Sequence, residues 1–335
     1  MEIEHNPRLT SVEISHIWNA YVNDSQSACV LKYFMNCTED SNVKEVVQFG
    51  LNISETHLKK LKVIFEKEKF PIPIGFNENE DVDVHAPRIF SDSYILNYMR
   101  DFAAIGMNAY GTALGFAARE DVYEYFSTCF TETNKLHRIA KNLMLEKGTY
   151  VRGPYIQPPE KSEYVKKQSF LTGWFGERRP LTAMEIASIY ANIQRNVLGA
   201  STMVAFSQIA QSKEVKNYTM RGKQIASKHL EVFNSILNED NLPTPMSWAS
   251  EVTSSTAYVF SDKLIMYHTA SLISVSLGHY GIALAGSMRR DLSTHFVRLS
   301  SEILKYSEDG ANIMIDNGWL EQPPRATDRD ALADG

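Results

Sequence analysis

Two histidine–glutamate combinations hold most of the chemical potential of this sequence: His57 with Glu132, and His229 with Glu302. A neutral imidazole and a carboxylate are donors that suit Zn, Fe or Mn, so a metal site is one thing such a pair can build. The other is structural: a histidine on a buried helix face, hydrogen-bonded to a carboxylate that orients the ring and partly charges it. His268, with His279 beyond it, adds an imidazole to the later half of the chain, on a stripe with Leu264, Leu272 and Val275. A carboxylate-bridged pair of metals inside a helical bundle needs more. It takes a Glu from each of two helices and a Glu-x-x-His from each of the other two. That spacing is absent: Ser54 and Ala226 stand three residues before the histidines, and Lys135 and Lys305 three residues after the glutamates. A conventional di-iron centre is therefore not expected.

Other chemistries have less to stand on. Cys29, Cys37 and Cys129 are odd in number and form no CxxC, which suggests reduced thiols acting as small core fillers. No nucleophile elbow and no Gly-rich phosphate loop occurs; Leu277-Gly278-His279-Tyr280-Gly281 falls inside a helical pattern.

The elements that must position these residues come in duplicate. Leu9-Thr10-Ser11-Val12-Glu13-Ile14 returns as Leu181-Thr182-Ala183-Met184-Glu185-Ile186, an offset of 172 residues. From Leu9 to Phe76, 16 of 68 positions are identical at that offset, where chance gives roughly 4. The later part repeats at an offset of 170: Phe90-Ser91-Asp92 with Phe260-Ser261-Asp262, Tyr110-Gly111 with Tyr280-Gly281, Arg119-x-Asp121 with Arg289-x-Asp291. The sequence thus predicts one domain over 1–150, a linker over 151–180 and a second copy over 181–335.

Each copy reads as four helices. Thr10-x-x-Glu13 and Thr182-x-x-Glu185 are capping boxes, which also account for those glutamates without a metal. The first helix runs to about Met35. A second, about Asn42 to Lys67, buries Val47, Gly50, Ser54, His57, Leu61 and Ile64 at helical spacing. Pro71 and Pro73 end it. A third starts at Ser91 or Asp92 and reaches about Ala117; a fourth runs from Asp121 to Gly148, a C-cap. The links within each hairpin are short, but the one between helices two and three is long enough to cross a helix of about 39 Å. Two hairpins joined by one crossover make an all-α, ferritin-like four-helix bundle, here present twice in tandem. That topology sets His57 and Glu132 nearly level, and His229 and Glu302 likewise; helix one offers Asn23 or Asp24 at similar height, with Arg195 or Asn196 in the second copy.

The linker Lys166-Lys167-Gln168-Ser169-Phe170-Leu171-Thr172-Gly173-Trp174-Phe175-Gly176-Glu177-Arg178-Arg179-Pro180-Leu181 is distinctive, as are Val252-Thr253-Ser254-Ser255-Thr256 and the ending Asn317-Gly318-Trp319-Leu320-Glu321-Gln322-Pro323-Pro324. With the duplication, these resemble an uncharacterised family of endospore-forming bacteria, a domain of unknown function present in tandem. The resemblance implies a ferritin-like fold distantly akin to spore-coat proteins and brings no activity and no catalytic residues. Phe170, Trp174 and Phe175 are expected to dock the linker against a bundle, in preference to touching a membrane surface.

Composition narrows the function classes. The chain has 335 residues, 44% hydrophobic and 22% charged, with a net charge of −6, so it lacks the basic footprint of a nucleic-acid binder. No apolar run is long enough to span a bilayer. The acidic Met1-Glu2-Ile3-Glu4-His5 lacks the layout of a secretory signal, so a cytoplasmic protein is expected, and association with the spore is what the resemblance adds. Two functions stay open. One is a non-enzymatic structural or interaction protein, with a second copy or another protein as partner. The other is a metal-storage protein or oxidoreductase using His57, Glu132, His229, Glu302 and His268.

Overall fold

The computed structural model describes residues 7–174, 178–244, 249–329 and 332. It is helical throughout: α1 Ser11–Cys37, α2 Ser41–Lys67, α3 Glu78–Asp81, α4 Asp92–Phe116 and α5 Glu120–Glu146, then α6 Ala183–Ile209, α7 Lys213–Glu239, α8 Asp262–Gly286 and α9 Arg290–Asp316. Among the described residues the only extended pairing is an isolated bridge between Phe90 and Val252. The long helices match those expected to within about two residues at each end. The chain forms two compact units. The first takes in residues up to Val84, Met99–Leu143 and Gly318 onward; the second takes in His85–Tyr98 and Met144–Asn317.

The ends of the helices follow from their caps. Thr10 accepts from the Glu13 amide while Glu13 accepts from the Thr10 amide, and Thr182 and Glu185 repeat the exchange. Asp40 and Ser212 start α2 and α7. After α5 and α9 the chain turns through Gly148 and Gly318, each at φ 68°, a left-handed conformation that a Cβ would strain.

Within the first unit, one apolar cluster fixes the helix directions. It joins Ile17 near the start of α1, Leu61 and Phe65 near the end of α2, Ala113 near the end of α4, and Val122 and Phe126 near the start of α5. Helices α2 and α4 therefore run the same way, and the chain between them must return the length of the bundle. It does so along α1: the Phe76 amide donates to Ser25 Oγ at 3.1 Å, and Lys32 pairs with Glu78 at 2.7 Å. Asn77 caps the short α3 on this path, a turn of helix that hydrophobic periodicity had no reason to flag. Here Glu321 accepts from the amides of Ile74 and Gly75. In the second unit, Asp262 at the head of α8 accepts from Gln211 and Ser212 at the head of α7, so those helices are parallel too.

Candidate functional site

Four helices of the first repeat converge on His57, which is fully buried. Its Nε2 lies 2.9 Å from Glu132 Oε2 on α5. Its Nδ1 lies 3.4 Å from Asp24 Oδ2 on α1 and 3.4 Å from the Tyr110 hydroxyl on α4. The rings of Tyr110 and Tyr125 stand edge-on to the imidazole at 5.8 and 5.9 Å. Burial disfavours the charged ring, but the Asp24 carboxylate, the largest opposing influence, outweighs it and holds the His57 pKa up at about 11. Burial in turn pushes the Cys129 thiol up, against the pull of His57. His57 is thus an imidazolium held between two carboxylates, one on each ring nitrogen. Asp24 is sealed in, whereas the Glu132 side chain keeps 35% of its surface in solvent and links the ring to the outside.

The second repeat builds a related centre with a different charge. Asn196 donates to the Tyr280 hydroxyl at 3.0 Å, and that hydroxyl lies 2.8 Å from His229 Nδ1. Since Tyr280 accepts from Asn196, its own proton goes to Nδ1, leaving Nε2–H to face Glu302 at 3.4 Å. Glu302 is drawn instead toward Lys228, 2.8 Å away. Burial therefore prevails over the weakened pull of Glu302 and pushes the His229 pKa down. One repeat holds a charged histidine and the other a neutral one.

The expected pairs are thus brought together, His57 with Glu132 closely and His229 with Glu302 loosely. His268 is placed elsewhere. It lies twelve residues before Tyr280 on α8, about 18 Å along the axis, with its ring against Phe206 and Tyr98 at 5.3 and 5.8 Å. Burial pushes its pKa down to about 4. On helix one the participant is Asp24, since Asn23 faces outward and donates to the Asn19 carbonyl. Cys129, expected as a core filler, is buried beside His57. Tyr110 and Tyr280 were visible only as a repeated Tyr-Gly, and Tyr125 has no counterpart tyrosine to mark it, His295 standing at its place. Among the described residues, no three His, Cys, Asp or Glu side chains are grouped to hold a metal ion.

Glu13 and Glu185 do more than cap. Glu13 also accepts from the Ala118 and Arg119 amides at 3.0 and 2.9 Å, so one carboxylate closes the start of α1 and the approach to α5. Glu185 does the same with Met288 and Arg289 and adds a bidentate pair with Arg179. Burial opposes its ionised form, but Arg179 and the backbone donors lower its pKa to about 2.

The linker docks differently from expectation. Phe170 is half-buried under the Arg179 guanidinium, 4.0 Å from its ring centre. Gly173 is buried so closely against the Asp291 backbone that any side chain there would collide with it. Trp174 is 55% exposed, with its ring against His295 at 6.1 Å. The close fit at Gly173 anchors this segment and leaves the indole at the surface. Phe175 lies outside the described residues.

A family model described as "Protein of unknown function (DUF3231)" matches the chain twice, over residues 1–161 and 169–332. No curated protein matches it. Among solved structures, a candidate spore-coat protein from Bacillus halodurans C-125 aligns over 45% of this chain and 98% of its own, with 15% identity and a TM-score of 0.41.

Proposed function

The chain belongs to the DUF3231 family, whose model covers both of its repeats, and we propose that it serves as a non-enzymatic structural or interaction protein. In this reading it comprises two ferritin-like bundle domains in tandem, the linker over 151–180 joining them. Its partners are proteins, a second copy included, and its place is the spore or the cytoplasm that forms it. No described helix is long and apolar enough to cross a membrane.

One observation carries the reading: His57 has a carboxylate at each ring nitrogen, so it has no lone pair turned toward a common point with them. A metal-binding protein built on His57, Glu132, His229, Glu302 and His268 fits these residues poorly. Glu302 is engaged by Lys228, and His268 sits several turns from the His229 centre. The arrangement instead resembles a polar lock in an apolar bundle, which fixes how four helices register.

Elemental analysis tests this on full-length protein purified without chelator or a metal-affinity tag, followed by melting with added Zn, Mn or Fe(II). The expected result is no stoichiometric metal and an unmoved melting temperature. One bound ion per bundle, with the melting temperature rising with occupancy, would overturn it, because a ligand of the folded state alone must stabilise that state.

A further inference from the structure

The surroundings of His57 and His229 differ at four matched positions. Asp24, Ser54, Tyr125 and Cys129 stand where the second repeat has Asn196, Ala226, His295 and Leu299. In the second repeat the groups around the ring satisfy one another, Asn196 to Tyr280 to His229, and His295 turns to Trp174, while the atoms left without a hydrogen-bond partner there, Asn192 Oδ1 and Asn234 Oδ1, are not part of that chain. In the first, Ser54 Oγ and Tyr125 Oη have no hydrogen-bond partner among the described residues, and Asp24 Oδ2 has only the ion-pair approach of His57 Nδ1 at 3.4 Å, too long and unaligned for a hydrogen bond. Asp24, Ser54 and Tyr125 are 3%, 0% and 5% exposed.

Two of them border the same ring, and the third lies one turn away on the helix that carries it. Asp24 Oδ2 is 3.4 Å from His57 Nδ1, the Tyr125 ring is 5.9 Å from the imidazole, and Ser54 precedes His57 by one helical turn on the same buried stripe. Leaving such groups unpaired in a helical core is strongly unfavourable, which is why buried polar atoms find partners. The chemistry of the three selects the guest. A cation would meet the imidazolium, an anion would meet Asp24, and an apolar molecule would satisfy none of them. Water can donate to the carboxylate, accept from the phenol and do either with the serine.

We propose that the first repeat contains an internal water site bordered by Asp24, Ser54, Tyr125 and His57, in proton exchange with bulk solvent through Glu132, and that the second repeat has no equivalent. The relay follows from the ring: Nε2 faces the partly exposed Glu132 while Nδ1 faces the enclosed Asp24. Nε2–H lost to Glu132 leaves the neutral Nδ1–H ring, Nδ1–H lost to the water side leaves the neutral Nε2–H ring, and either ring is re-protonated at the nitrogen that gave up its proton, because the other already carries one. The imidazole returns to its starting charge, with no net change in bonds.

A crystal structure of the full chain that orders solvent decides the first part. Water is expected within about 2.7–3.2 Å of Asp24 Oδ2 and Tyr125 Oη, with none beside His229. Water-proton relaxation dispersion gives the solution readout. The Ser54→Ala/Tyr125→Phe double variant, which keeps the core volume nearly unchanged, should lose the long-lived water contribution of this site, while Leu299→Cys in the second repeat should add none. Asp24 Oδ2 closing directly on a protein donor, an ion with anomalous signal at the site, or equal dispersion in wild type and double variant would each overturn the proposal. If the double variant fails to fold, the wild-type density alone still decides it.

Discussion

Asp24 Oδ2 lies 3.4 Å from His57 Nδ1, and at the matching place in the second repeat stands Asn196, whose amide goes to Tyr280 instead. A carboxylate and its amide are almost the same shape, so the two bundles pack alike while differing in charge at the centre. Exchanging them should exchange the charge states. Asp24→Asn should bring the His57 pKa down from about 11 to near or below the ordinary histidine value, and Asn196→Asp should raise that of His229. NMR titration of the imidazole protons reads both. An unmoved His57 in Asp24→Asn would show that Glu132 alone sets its charge.

The pH dependence of stability follows in sign. His57 has a folded pKa of about 11 against an ordinary 6.5, so its contribution is complete below pH 6.5 and is lost as pH rises toward 11. Glu185 is shifted the other way, from 4.5 to about 2, so its contribution is present above pH 4.5 and is lost as pH falls toward 2. Chemical denaturation across pH, followed by hydrogen exchange at sites in each repeat, should show an alkaline weakening centred on the first repeat that Asp24→Asn flattens. A first repeat that strengthens between pH 7 and 10 would contradict the assignment.

Much of this was legible in the sequence, and the limit is geometric. The duplication, the capping boxes and the level of His57 against Glu132 come from counting, because rise per residue is fixed. Counting leaves the direction around each helix open by about 100° per residue, which is why Asn23 and Asp24 were equal candidates until packing chose Asp24. The same limit hid Tyr125, which lies seven residues before Glu132 on α5 yet meets His57. It also hid the second duty of Glu13, whose partners Ala118 and Arg119 are 105 and 106 residues away. The aromatic run of the linker favoured burial of Trp174, but Gly173 determines the fit.

Glu185 and Glu13 should rank among the costliest single substitutions outside the apolar core. Each removal leaves two helix starts with unpaired donors, so Glu13→Ala should cost roughly 2–4 kcal/mol. Glu185→Ala should cost more, since Arg179 loses its bidentate partner as well. Urea denaturation of the two variants measures the order. Equal small losses in both would mean that the caps are replaceable by solvent.

For the linker, Gly173→Ala should weaken docking by roughly 1–3 kcal/mol through overpacking against Asp291, while Trp174→Ala should stay within about 0.5 kcal/mol. Comparing wild type with Trp174→Phe, iodide should quench the indole readily. An indole as protected as that of Trp18, which packs against the apolar cluster of the first unit, would reverse the roles of the two residues.

Glu321 gives the first unit an unusual schedule. The carboxylate that satisfies the Ile74 and Gly75 amides arrives 247 and 246 residues downstream of them. At about 5–20 residues per second on the ribosome, that is a delay on the order of ten to fifty seconds. The half of the molecule that emerges first from the exit tunnel is therefore finished last. A nascent chain stalled before residue 321 should expose the 74–76 segment to proteases even when every helix of the first repeat has been translated.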